Sequence, residues 1–197
     1  MKYFQTASLI IWIAFYGSYF AKMLIQRRKG IRTNPSAKER GGDSTRHVEK
    51  MLRRSAYAIA FIQLCSMFVS DPAIALTLPQ SARLTGMGVA LLGVTVFCIA
   101  MYTIRDSWRT GIAVGERTAL VTNGVYRYSR NPAFLGFDLF YAGLAVAFCN
   151  WMLVFISLMG MILMHLQIID EEKLLSGQFG DAYQAYRKRT PRYFLFF

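Results

Sequence analysis

Hydrophobic positions along this chain gather into five runs separated by strongly polar segments. The runs are Tyr3 to Ala21, Ser55 to Ser70, Leu84 to Ile104, Ala133 to Cys149 and Trp151 to Ile169. They approach the roughly 20 residues that a helix needs to cross a hydrocarbon core of about 30 Å. The pattern predicts five membrane helices, the second and fourth short enough to stand with little tilt or to thin the bilayer locally. The apolar part of the first run is too long for a cleavable signal peptide and lacks a small-residue cleavage site, so a retained helix is expected.

The polar segments differ in character. Residues 26–55 mix Gly, Asn, Pro and charge, reading as a loop followed by a short basic helix on the lipid headgroups. Residues 105–132 are too long for a mere connection and carry Val, Thr, Tyr and an Asn-Gly turn signal. Beyond residue 170, Phe179, Tyr183 and Tyr186 share one helical face ahead of Arg187, Lys188 and Arg189, which predicts an amphipathic helix folded back onto the membrane-facing rim. The expected architecture is an all-α integral membrane protein of about five transmembrane helices with a C-terminal cytoplasmic amphipathic helix. We read 1–197 as a single membrane domain, with helices and a basic loop in 1–104 and the chemistry-bearing half in 105–197.

Composition supports the class and charge sets the orientation. Of the residues, 54% are hydrophobic and only 17% charged, and the mean hydropathy is +0.30. Twenty of the 23 Lys and Arg fall in the three polar segments, which five spans would place on one side; basic loops resist translocation, making that side cytoplasmic. The N-terminus is then outside and the C-terminus inside. Anionic headgroups and topology explain the formal charge of +12 better than nucleic acid does, since no nucleic-acid-binding motif accompanies it. Cys65, Cys98 and Cys149 lie in apolar runs without metal-like spacing and read as small buried hydrophobes. With two histidines and no paired-ligand motif, a metal site is not expected.

Chemistry concentrates in the last two runs. Pro132 suits the first turn of a helix, where its missing amide hydrogen costs nothing, and Asn131, Leu135 and Asp138 then lie on neighbouring parts of one face. Gly136 and Gly143 share another face and permit close approach of a helix or a ligand. A carboxylate such as Asp138 in hydrocarbon is costly and faces a cavity, a ligand or an arginine partner. On the fifth run, His165, Ile169 and Glu172 share a face, with Gln167 and Glu171 forming the adjacent stripe. Acids at a helix C-terminus oppose its macrodipole, so Asp170 to Glu172 call for partners or for a helix that continues past the membrane.

The stretch "ERTALVTNGVYRYSRNPAFLGFDLFYAG", followed about thirty residues later by "DEEKLLSGQFGDAYQAYRKRTPRYF", resembles the isoprenylcysteine carboxyl methyltransferase and phospholipid methyltransferase superfamily, particularly its bacterial membrane branch. The resemblance runs over Leu120 to Tyr126, Arg130 to Gly143 and Glu171 to Tyr186; the N-terminal half matches in hydropathy alone. It implies an S-adenosylmethionine site between the last two membrane helices, the loop before them and the C-terminal segment, on the cytoplasmic face of a bacterial inner membrane. On this resemblance Arg130, Asn131 and Pro132 would wall the cofactor pocket and Gly136 would let the backbone approach the ligand. Glu171 and Glu172 would receive polar groups of the cofactor, while Leu120, Val121 and Tyr126 would line its adenine side. Gly124 and Phe134 complete the implied cofactor-binding set. Asn131 stands where the family has histidine and Phe134 where it has tyrosine. Thr118 and Ala119 occupy the place of a further histidine often found before Leu-Val-Thr. Asn131 can replace one imidazole hydrogen bond but cannot act as an acid or base near neutrality. Together with Asp138, this points to a lipophilic acceptor with a polar or cationic head rather than to a prenylcysteine.

The expected function is therefore methyl transfer from S-adenosylmethionine to a lipophilic molecule arriving from the surrounding membrane lipids. A carboxylate or thiolate acceptor needs no strong base; an amine or alcohol does, and Asp138 and His165 are the catalytic candidates. Two alternatives remain: an NADPH-dependent membrane reductase of the sterol-reductase type, and a non-catalytic membrane scaffold of the same fold. Nothing resembles the paired broken-helix repeats of a transporter.

Overall fold

The computed structural model describes residues 2–31, 45–68, 76–108, 119–148 and 150–194. Five helices carry the chain: α1 (Lys2–Arg28), α2 (Thr45–Ser66), α3 (Gln80–Ile104), α4 (Pro132–Phe148) and α5 (Trp151–Arg189). Short 3₁₀ turns follow α3 at Arg105–Ser107 and precede α4 at Gly124–Arg127. The described residues contain no strand, in keeping with the expected all-α membrane fold.

Among the described residues, three helical stretches are long and apolar enough to cross a membrane, Phe4–Arg28, Gln80–Ser107 and Trp151–Arg189, and α4 is a shorter apolar helix. Apolar side chains cover the outside as well as the core. On α5, Phe155, Leu158, Ile162 and Leu166 are exposed while Leu153, Gly160, Met164 and Ile168 turn inward. That arrangement suits lipid as the solvent for the outer face. Cys98 shares this exposure and Cys65 is half-buried, so neither is the fully buried hydrophobe expected; Cys149 lies outside the described residues.

The tightest packing joins α3 to α4. Small residues recur every seven positions on both helices, Gly86 and Gly93 facing Gly143 and Gly136. A Cβ on Gly93 would meet the Phe140 backbone nitrogen at 2.5 Å, and one on Gly136 would meet Phe97 at 2.8 Å. Close backbone approach of this kind substitutes dispersion for the hydrophobic drive that lipid cannot supply. The space beside Gly136 is thus taken by α3. Gly136, whose small side was expected to permit close approach of a helix or a ligand, faces a neighbouring helix here.

Aromatic rings then lock α1 onto the pair, with Phe15 stacked on Phe140 at 4.0 Å and edge-on to Phe137. At the other end of α1, Lys22 donates to the Met101 carbonyl, Gln26 donates to the Arg105 carbonyl, and Lys29 pairs with Asp106 at 2.8 Å. The first two bonds supply partners for carbonyls at the end of α3 that have no helical donor.

Two element boundaries differ from expectation for identifiable reasons. The helix α2 begins at Thr45, ten residues before its apolar run, because a charged first half is compatible with helix outside hydrocarbon. The rest of the first polar connection, 32–44, and residues 109–118 of the second, with Thr118, lie outside the described residues. In α5 the amphipathic tail continues the fifth membrane helix, interrupted only at Gly180, whose φ of 50° and ψ of −125° break the helical path. Glycine tolerates that left-handed φ without steric cost. Tyr183 and Tyr186 are buried against the rest of the protein, so this face packs on the loop before α4 instead of on a membrane rim.

Candidate functional site

The site is assembled where the loop 119–131 enters α4. Leu120 to Thr122 run extended and half-buried, and the Asn-Gly pair turns the chain at Gly124, φ 57°. A Cβ there would meet Thr103 Cγ2 at 2.8 Å, so both the turn and the contact with α3 require glycine. Gly124, one of the cofactor-binding residues that the resemblance implied, is thus required by the loop's own packing. Tyr126 follows, buried, its carbonyl accepting from the Tyr186 hydroxyl at 2.6 Å. Burial holds the Tyr126 phenol above its ordinary range, with Tyr186 and Glu171 acting in the same direction.

Arg130 is the centre. Its side chain is 2% exposed, and its Nε and Nη2 each lie 3.1 Å from Glu172 Oε1. Nη1 donates to the carbonyls of Arg187 and Thr190, while the Arg130 amide donates to the Pro191 carbonyl at 2.9 Å. Asn131 Nδ2 donates to the same Glu172 oxygen at 3.2 Å. This is one hydrogen bond of the sort an imidazole would make. From the tail, Arg192 closes on Glu172 with Nη2 at 2.9 Å from Oε2. Those bonds also hold the Arg192 guanidinium above its usual pKa. Ser129 ties the layers together, receiving the Asn131 amide and donating to the Arg192 carbonyl.

Glu172 is thus engaged by three side chains. A buried carboxylate with two arginines and an amide is stable because each charge is matched and its lone pairs are filled. Glu172, expected to receive polar groups of the cofactor, here joins α4, α5 and the C-terminal turn through its two oxygens. Glu171, half-buried beside it, accepts from Gln167 at 3.1 Å. Pro132 opens α4 as expected and is buried, and Phe134 is half-buried one residue on from Ala133.

The two catalytic candidates lie deeper. Asp138 is half-buried on α4, and its Oδ1 is buried without a hydrogen-bond partner. His165 on α5 has Nδ1 3.1 Å from the Tyr193 hydroxyl, and the two rings lie nearly parallel. Burial raises the Tyr193 phenol to about 12, the charge of Asp138 adding to the effect and Arg192 opposing it. The buried hydroxyl of Tyr183 lies in the field of Arg130 and Glu172.

The structure therefore brings together Tyr126, Arg130, Asn131 and Glu172, places Asp138 and His165 on the two helices above them, and assigns Gly124 and Gly136 to packing. Sequence reasoning missed Ser129, Thr190, Arg192 and Tyr193. The tail "TPRYF" has no helical periodicity to signal burial; its one clue was an arginine close to three acids.

The Isoprenylcysteine carboxyl methyltransferase (ICMT) family matches this chain over residues 85–177, from α3 through Glu172. A stretch of 73 residues is 36% identical to a Protein-S-isoprenylcysteine O-methyltransferase of Schizosaccharomyces pombe. The match takes in 36% of this chain and 31% of that protein, so the chain covers about a third of the relative's length. Arg130, Asn131, Asp138, His165 and Glu172 all fall within the family match, whereas Arg192 and Tyr193 lie beyond it. The family match thus relates residues 85–177 to the isoprenylcysteine carboxyl methyltransferase family, and the relative bears the name of such an enzyme.

Proposed function

We propose that this protein is an integral membrane methyltransferase that takes its methyl group from S-adenosylmethionine and transfers it to a lipophilic acceptor. The observation that carries the reading is the Arg130, Asn131, Glu172 and Arg192 cluster, which joins the loop, α4, α5 and the C-terminal turn around one buried charge centre, its first three members lying in the segment that the methyltransferase family matches. The unpartnered Oδ1 of Asp138 fits a polar ligand lodged along this seam, because such groups are normally hydrogen-bonded when buried.

Leu120, Val121, Tyr126 and Phe134 would line the adenine side; Arg130, Asn131 and Pro132 would form the wall; Glu171 and Tyr183 would meet hydroxyl or amino groups. When bound, the sulfonium donor supplies an already activated methyl group. The chain's own part is to hold donor and acceptor in line and to keep water out, which contributes more to rate than any acid or base where the acceptor is already nucleophilic. The basic segments orient the site to the cytoplasmic face of the bacterial inner membrane, with 105–197 as the cofactor-binding half of a single domain.

Calorimetric titration of the detergent-purified protein tests this. S-adenosylmethionine and S-adenosylhomocysteine are expected to bind saturably and NADPH not. Binding of NADPH alone would favour a reductase, and binding of neither a scaffold.

A further inference from the structure

The α4–α5 hairpin sets Asp138 and His165 at one depth. Asp138 stands seven residues beyond Asn131, and His165 seven residues before Glu172. Seven residues make nearly two turns, so each side chain keeps the facing direction of its reference residue and lies about 10 Å further along the bundle. Since Asn131 and Glu172 are hydrogen-bonded to each other, the faces bearing Asp138 and His165 meet across the same seam. Tyr141 against Gly160, further along, shows the register persisting. Tyr193 reaches this level from the C-terminal turn, its hydroxyl on His165 Nδ1 and its ring parallel to the imidazole at 17°. The Asp138 charge acts on that same phenol, and one Asp138 oxygen is buried with no donor.

We propose that Asp138, His165 and Tyr193 form the acceptor subsite and that it takes a lipophilic amine, with Asp138 binding the ammonium head, His165 receiving its proton and Tyr193 positioning the imidazole. This rests on the methyltransferase reading above and narrows its substrate. A cation is the ligand that best satisfies an unpartnered carboxylate oxygen among apolar helices. An ammonium has no lone pair, so it must lose a proton before it attacks.

With His165 Nδ1–H donating to the phenol oxygen, Nε2 is left as the acceptor. Nε2 takes one proton from the ammonium; the freed nitrogen pair then forms the N–C bond while the electrons of the S–C bond return to the donor sulfur, leaving a thioether and a methylated ammonium. The proton on His165 leaves to solvent between turnovers. Around His165 and Tyr193 the charged groups are Asp138 from α4, Glu172 from α5 and Arg192 from the turn, and the two last are already paired with each other. Tyr193 acts through His165 and is a positioning residue.

The test uses the full-length protein in detergent with dodecylamine and dodecanoate as acceptors, methyl-labelled S-adenosylmethionine as donor, and S-adenosylhomocysteine titration as an independent measure of fold and donor site. The amine is expected to be methylated and the carboxylate not. Tyr193→Phe should lower kcat on the amine by about ten- to a hundredfold, less than the roughly 10²- to 10⁴-fold of a general base because Tyr193 only positions it, with donor affinity within about twofold. Asp138→Asn should chiefly raise KM for the amine. Nitrogen NMR of labelled histidine should show His165 as the Nδ1–H tautomer in the native protein and as a tautomeric mixture in Tyr193→Phe. Methylation of dodecanoate as fast as of the amine, or a Tyr193→Phe protein unchanged in both kcat and tautomer, overturns the subsite. S-adenosylhomocysteine binding without amine methylation overturns the subsite alone; failure of the native protein to bind it overturns the methyltransferase reading, and the subsite with it.

Discussion

Arg130 and Glu172, forty-two residues apart in sequence, meet at 3.1 Å in a buried ion pair, and every segment of the candidate site hangs on one of the two. The arginine also reaches the carbonyls of Arg187 and Thr190, and the glutamate also holds Asn131 and Arg192. A loop, two helices and the tail are thereby fixed by one charge centre.

Removing one charge should therefore cost more than removing both. Glu172→Gln leaves two arginines facing an amide, and loss of a buried partner costs about 3–5 kcal/mol. Replacing the pair together, Arg130→Met with Glu172→Leu, removes the deeper of the two unmatched charges, leaving only the partly exposed Arg192, and should recover part of the loss. Thermal unfolding in detergent would show this as a smaller drop in Tm for the double variant than for Glu172→Gln.

The α3–α4 seam makes a sharper steric demand. Gly93→Ala would set a methyl 2.5 Å from the Phe140 nitrogen, and backbone cannot yield as a flexible side chain can. The expected result is a lower Tm and a lower yield of folded protein. Gly88→Ala, with nothing within 4 Å, serves as the control and should be neutral or stabilising by up to about 1 kcal/mol.

Tyr186→Phe deletes the donor to the Tyr126 carbonyl while keeping the ring. Leaving a buried acceptor unpaired costs about 1–3 kcal/mol. Hydrogen exchange should quicken at residues 124–131, with the α3–α4 seam unaffected.

Alkaline pH provides a separate handle. Tyr193 has its folded pKa raised to about 12 by burial and then by Asp138, above the unfolded value near ~10. Its contribution to stability is fully present below about pH 10 and is lost as pH rises through the folded value. A spectroscopic titration of tyrosinate should show a late-ionising phenol that Tyr193→Phe removes.

Helix existence was legible because apolar runs of near-membrane length leave little choice, and the start of α4 was fixed by Pro132. The short basic helix expected near residue 50 proved to be the first part of α2, since hydropathy alone cannot separate a charged helical extension from a loop. Arg130, Asn131 and Glu172 could be named from their motif, but their mutual contact could not, since it depends on how the hairpin closes. At Gly136 a small residue signalled close approach without saying what approaches; the matching Gly93 on α3 shows a helix there. Arg192 and Tyr193 stayed invisible because an irregular tail has no period from which burial can be inferred.

The central claim is most directly tested by methyl transfer itself. Protein in liposomes would be incubated with methyl-labelled S-adenosylmethionine and a membrane lipid extract, and the organic phase counted. The account predicts label entering that phase in proportion to enzyme and falling sharply with Arg130→Ala. Label remaining wholly aqueous with a folded protein and excess lipid would contradict it.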